Sequence, residues 1–146
     1  VIIRTAWVFS EYGNNFVKTM LRLARDRDSL GIVSDQFGCP TYAGDIANAI
    51  IKMIKISSAG GVYHYCGDKQ VSWAQFAESI FTVAQSLGAV NKSPQIKHIT
   101  TAEYPTPALR PQFSTMDTKK IESLGVQASD WGGALNFVLT KYEGKF

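Results

Sequence analysis

The sequence lacks most of the features that announce a function class. Cysteine occurs twice, too seldom for a disulfide framework, and Cys39 and Cys66 lack metal-ligand spacing. They read as reduced thiols of a cytoplasmic protein. Histidine also occurs twice. Neither His64 nor His98 has a carboxylate or second histidine at a useful offset, so both read as structural or surface residues. Charge forms no run: 15 Lys+Arg against 12 Asp+Glu leave a net +3. That is too diffuse for nucleic acid, though mildly attractive to a small anion. No apolar segment approaches a membrane span and no signal peptide opens the chain. Neither a membrane nor a nucleic acid is therefore an expected partner.

Catalytic signatures are missing too. No glycine-rich strand-to-helix turn, Walker loop, zinc spacing or serine-centred elbow occurs. Glu11, Asp26, Asp28 and Glu103 form no acid/base pair. Tyr65 and Lys69 do fit Tyr-x-x-x-Lys, but that chemistry needs a helix so that residues four apart share a face. Here the spacer Gly67-Asp68 follows a strand pattern and is a turn signal, so the match reads as chance.

What is present is an α/β pattern in 146 residues of ordinary composition, 45% hydrophobic and 18% charged. That length suits one domain or part of a larger one. Val1–Phe9 reads as a continuous strand covered on both faces, broken by Arg4 and Thr5. It begins as a buried strand with no lead-in, as though cut from a longer chain. Asn14 or Asn15 is positioned to cap a helix with apolar Phe16, Met20, Leu23 and Ala24. Gly31–Ser34 is a short strand. Asp45 is expected to cap a well-buried helix, DIANAIIKMIKI. Val62–Cys66 is a strand, and Ser72–Gln75 (SWAQ) a capping box opening a helix that ends at Leu87-Gly88. Ile96–Thr100 is a strand, the proline-studded AEYPTPALRPQFS is irregular, and Asp117 and Asp130 cap two last helices, the first stopped at Leu124-Gly125. The segment DQFGCPTYAGDIA (35–47) is more than a connector: its aromatic and amide side chains suggest a receiving surface.

Read together and in order, RTAWVF (4–9), GNNFVKTMLRLA (13–24), DQFGCPTYAGDIA (35–47), YHYCGD (63–68), SWAQFA (72–77) and YPTPALRPQFSTMDTKKI (104–121) resemble the C-terminal half of the dTDP-4-dehydrorhamnose reductases, extended short-chain dehydrogenases. The resemblance implies the late strand or strands of a Rossmann-type NAD(P)-binding sheet (1–12), then mainly the smaller α/β sugar-nucleotide-binding domain (13–146). Some elements would return to the Rossmann half, which itself precedes Val1. It implies reduction of the C4 ketone of dTDP-4-dehydro-L-rhamnose by NADPH or NADH. The proton-donating Tyr, with its Lys and Thr, would lie upstream, leaving no catalytic residue in this chain. The dTDP-sugar is the implied partner.

Residue by residue, the resemblance puts Trp7 at a substrate-facing tryptophan whose indole would pack on the deoxysugar. Thr5 and Ala6 would lie near the nicotinamide. Asn14 and Asn15 open a helix and would serve a diphosphate or simply cap. Gln36 and Thr41 would read the nucleoside or stabilise a turn. Arg110 would clamp the diphosphate or tie down the proline-rich segment, with Tyr104 beside it. Leu109 stands where many members have a second arginine. Gly44 stands where some carry a metal-binding carboxylate, so no metal and no metal-bridged dimer are expected. Alternatives are a binding module resembling the regulatory subunit of methionine adenosyltransferase, and a related sugar-nucleotide epimerase or dehydratase. The chain alone is expected to be inactive, and its bare first strand to invite homodimer formation or swapping.

Overall fold

A computed structural model of the chain describes residues 1–56 and 59–142; residues 143–146, the end of the expected second unit, lie outside them. The elements are β1 (Ile2–Arg4), β2 (Val8–Phe9), α1 (Phe16–Asp26), β3 (Ser29–Val33), β4 (Phe37–Gly38), β5 (Thr41–Tyr42) and α2 (Ala43–Lys55). There follow β6 (Val62–His64), β7 (Val71–Ser72), α3 (Trp73–Ser86), β8 (Gln95–Ile99), a 3-10 turn at Thr101–Glu103, α4 (Lys119–Glu122) and α5 (Trp131–Thr140). The α/β class expected from the sequence is observed. Strands pair two by two: β1 with β6, β2 with β5 and β3 with β8 run parallel, while β4 and β7 run antiparallel.

Helix periodicity builds the larger core. Val17, Met20, Leu21 and Ala24 bury one stripe of α1, and Ala77, Ile80, Phe81 and Ala84 one stripe of α3. With Leu135, Val138 and Leu139 of α5 they form one cluster against β3. Each fully buried Leu or Ile contributes about 1.5–3 kcal/mol. A smaller cluster joins Ala49 and Met53 of α2 to Tyr63, Tyr65, Ile121 and Val126.

Expectations for three segments are corrected. Val1–Phe9 is two strands: the chain breaks at Thr5–Trp7, where Trp7 takes φ 53°. Nor is it covered on both faces, since Ile2 and Val8 are exposed. The α2 helix starts at Ala43 after an N-cap Tyr42 that makes no capping side-chain bond, so Asp45 sits in the first turn instead. Its carboxylate accepts a hydrogen bond from Ser129 Oγ at 2.7 Å. The helix is also less buried than its apolarity suggested: Ile50, Ile51 and Ile54 face outward, Ile54 at 72% exposure. Among the described residues the small cluster covers only the face bearing Ala49 and Met53. Thr118, not Asp117, precedes α4, though Asp117 Oδ1 accepts from the Lys119 amide at 2.9 Å. The SWAQ box forms as expected, with Ser72 Oγ accepting from the Gln75 amide and Gln75 Oε1 from the Ser72 amide.

Candidate functional site: an indole-walled cleft

The break between β1 and β2 places Trp7. Left-handed backbone costs a residue with a Cβ about 1–2 kcal/mol, and Trp7 is the only non-glycine residue with positive φ among the described residues. The parallel β2–β5 pair holds it, with the Thr41 amide donating to Trp7 O at 3.1 Å. The indole lies flat on that of Trp73, ring centroids 3.5 Å apart and planes 10° from parallel. Trp73 opens α3 directly after its capping box and packs at a tilt on Phe16, 4.7 Å away.

The opposite wall comes from the proline-rich segment. The Phe37 amide donates to Gln112 O at 2.7 Å, and the Ser114 amide to Phe37 O at 2.8 Å. Phe37 and Phe113 stack at 5.6 Å. This stitching delivers Arg110, Pro111 and Ser114 to a cleft of about 330 Å³ that Ala6, Trp7, Gln36 and Trp73 complete. Arg110 is exposed and meets no carboxylate among the described residues, so it is not a buried structural arginine. Gln36 is buried and donates from Nε2 to Thr101 Oγ1 at 3.1 Å. Thr101 in turn donates to Asp35, and those bonds hold the Asp35 carboxyl below its usual range. Indole edge, amide, hydroxyl and guanidinium around an apolar wall suit a polar ring bearing an anionic group.

Of the site residues read from the sequence, Trp7, Gln36 and Arg110 converge here, and Ala6 lines the same cleft. Thr5 is exposed beside it and Tyr104 lies outside the lining. Asn15 is the N-cap of α1, its side chain accepting from the Lys18 amide and donating to Ser10 O at 2.8 Å. Asn14 is exposed. Thr41 is wholly buried, donating to Cys39 O at 3.0 Å and accepting from the Gly67 amide at 3.2 Å. Leu109 is fully exposed. At Gly44 an added Cβ would stand 2.4 Å from the Tyr42 ring, so glycine there lets the phenol reach Glu11. Sequence reading missed Trp73, Pro111 and Ser114. For Trp73 a signal existed: an aromatic at the first helical position leans back over the preceding turn, here over Trp7.

The Tyr65–Lys69 pair lacks the shared helical face that Tyr-x-x-x-Lys chemistry needs. Both lie outside helices, and Lys69 is exposed and paired with Asp68 at 3.3 Å. Burial pushes the Tyr65 phenol up to about 12, the reverse of activation. His98 Nε2 contacts Glu78 at 2.7 Å on the surface, whereas His64 lines a second cleft with Val62, Asp117, Lys119 and Lys120. Cys39 and Cys66 are free and buried. The neighbouring thiols shift in opposite directions: Cys66 raises Cys39, and Cys39 lowers Cys66. The described residues do not fit a dinucleotide cradle: no glycine-rich turn lies between a strand and a helix N-terminus. No step is routed through a nicotinamide here.

Three comparisons relate the chain to known proteins. The family model of the RmlD substrate binding domain matches residues 1–143. A dTDP-4-dehydrorhamnose reductase of Aggregatibacter actinomycetemcomitans is 50% identical over 141 residues, which is 92% of this chain and 48% of the relative. The structure of the Bacillus anthracis reductase in complex with NADP superimposes with TM-score 0.83 at 35% identity, over 94% of this chain and 47% of that one. The Clostridium acetobutylicum reductase superimposes with TM-score 0.84 at 34% identity and the same coverage. The chain thus spans about half the length of the relatives it matches. With 143 of its residues matched by the family model, this chain belongs to the RmlD substrate-binding-domain family.

Proposed function

We propose that this chain is the sugar-nucleotide-binding portion of a dTDP-4-dehydrorhamnose reductase. The observation that carries the reading is the cleft: three sequence segments far apart bring Trp7, Gln36 and Arg110 to one surface. In the proposed role the Arg110 guanidinium pairs with the diphosphate, Trp7 meets the deoxysugar, and Gln36 reads the nucleoside. Asn15 and Thr41 act behind that surface, holding α1 and the β5 segment in place. Thr5, exposed next to the cleft-lining Ala6, is proposed to meet the nicotinamide.

The activity of the whole protein is then reduction of the C4 ketone of dTDP-4-dehydro-L-rhamnose to dTDP-L-rhamnose, with NADPH or NADH supplying the hydride. The proton donor and the dinucleotide cradle belong to other residues than these. The bare side chains of Ile2 and Val62, paired in register on β1 and β6, support placing β1 at the edge of a dinucleotide-binding sheet. Without that cover the same surface promotes self-association of the isolated chain. No helix among the described residues is long and apolar enough to cross a membrane, and a cytoplasmic location is part of the proposal.

Calorimetric titration tests the reading. The chain is expected to bind dTDP-L-rhamnose and not NADPH, and not to oxidise NADPH in the presence of the keto sugar. NADPH turnover by these 146 residues would overturn it.

A further inference from the structure

The faces of the Trp7 indole are both taken. An added Cβ at Gly38 would lie 2.5 Å from Cε2, 2.6 Å from Nε1 and 2.9 Å from Cδ2 of Trp7. Cε2 and Cδ2 form the ring-fusion bond. An approach along the rim would leave Cδ2 much farther back, so Gly38 stands over a face of the indole. Trp73 covers a face at 3.5 Å and nearly parallel. It is not the same face, because no Trp73 atom is among the three nearest that a Gly38 Cβ would meet. Gly38 and Trp73 therefore sandwich the ring, and the rim is what remains toward the cleft.

We infer that Trp73 is a positioning residue that, with Gly38, clamps Trp7 edge-on, so that the ligand meets the indole rim and not a stacked face. This deepens the sugar-nucleotide reading and rests on it. It also replaces the stacking expected from the sequence, since a deoxysugar cannot lie on a face that a second indole occupies. The rim of an indole carries its N–H donor and the positive edge of the ring quadrupole. A hydroxyl-bearing or carbonyl-bearing ring offers acceptors to that rim, whereas an apolar ring would prefer a bare face. The clamp also accounts for the left-handed backbone at Trp7: packing on both faces over-determines a conformation that would otherwise relax.

Each part of the clamp is itself anchored. Gly38 pairs with Val71 and Phe37 with Ser72, so the residue under one face and the residue preceding the other belong to one antiparallel pair. Trp73 follows the capping box and rests on Phe16. An indole stacked 3.5 Å away shields the ring protons beneath it, so the Trp7 ring protons resonate upfield of a free indole in proton NMR, a signal that general stability does not mimic.

The test uses this chain with and without dTDP-L-rhamnose. Unliganded, the upfield shift of the Trp7 ring protons is expected in the native chain and lost in Trp73→Ala; a native chain without it would overturn the clamp. With ligand, Trp73→Ala is expected to weaken binding roughly three- to tenfold, the size of an aromatic pair. Trp73→Phe keeps a ring over Trp7 and restores most of the affinity. Gly38→Ala, whose methyl must displace the indole, weakens binding as Trp73→Ala does. Undiminished affinity in a Trp73→Ala chain that has lost the upfield shift and still melts cooperatively would overturn the positioning role. If the native chain shows the upfield shift yet binds no sugar nucleotide, the functional reading and the recognition role resting on it are overturned, and the clamp geometry stands.

Discussion

Ser129 reaches across 84 residues of chain to donate a 2.7 Å hydrogen bond to the carboxylate of Asp45. The same hydroxyl accepts from the Tyr42 amide at 3.3 Å. Ser129 is wholly buried and so serves as the cap that the first turn of α2 lacks in its own sequence. Ser129→Ala should cost about 1–3 kcal/mol, because it strips a charged acceptor and an amide of one shared partner. Denaturant unfolding measures this, and a midpoint unchanged from the native chain would contradict it.

The capping box of α3 makes a second stability prediction. Ser72→Ala removes one of two reciprocal bonds and should cost about 1 kcal/mol. Because Trp73 is the next residue, the loss should also loosen the Trp7–Trp73 stack, read as a smaller upfield shift of the Trp7 ring protons before unfolding.

Stability should fall in alkaline solution. Burial, then the hydrogen bond to Glu11, raises Tyr42 from 10 to about 12, and burial raises Tyr65 to about 12. A phenol whose folded pKa exceeds its unfolded one favours the fold while neutral. That stabilisation is complete below pH 10 and is lost as pH rises through 12. Tyr42→Phe and Tyr65→Phe should each flatten the decline between pH 10 and 12; an identical slope in either variant would contradict the assignment.

Arg110→Ala should weaken dTDP-L-rhamnose binding roughly 10- to 100-fold, the worth of a charged hydrogen-bond pair. The native affinity should fall with added salt, and the variant's salt dependence should be shallower. Equal salt slopes would remove the diphosphate from Arg110.

Features closed within a few residues were legible in the sequence. SWAQ forms its box, and Gly88 and Gly125 take the positive φ of helix stops, 68° and 77°. Features settled by distant partners were not. Val1–Phe9 reads as one strand, yet its two halves pair with β6 and β5, and the break between them makes Trp7 available. Asp45 has every local mark of a cap, but Ser129 holds it. DQFGCPTY hides two strands because their partners, β7 and β2, lie elsewhere in the chain. Trp7, Gln36 and Arg110 could be named from motif resemblance; that a second indole closes the face of the first is settled only by the fold, which brings residues 7 and 73 together.

The most direct test of the sugar-nucleotide cleft is a nitrogen-15 chemical-shift titration of this chain with dTDP-L-rhamnose. Three tryptophans provide three indole N–H reporters. Trp7 and Trp73 line the cleft, while Trp131 Nε1 donates to Lys69 O at 3.1 Å outside it. The account predicts saturable shifts at Trp7, Trp73, Gln36, Arg110 and Ser114, with the Trp131 indole unmoved. No saturable shift in the cleft, or shifts centred on His64, Lys119 and Lys120 of the second cleft, would contradict it.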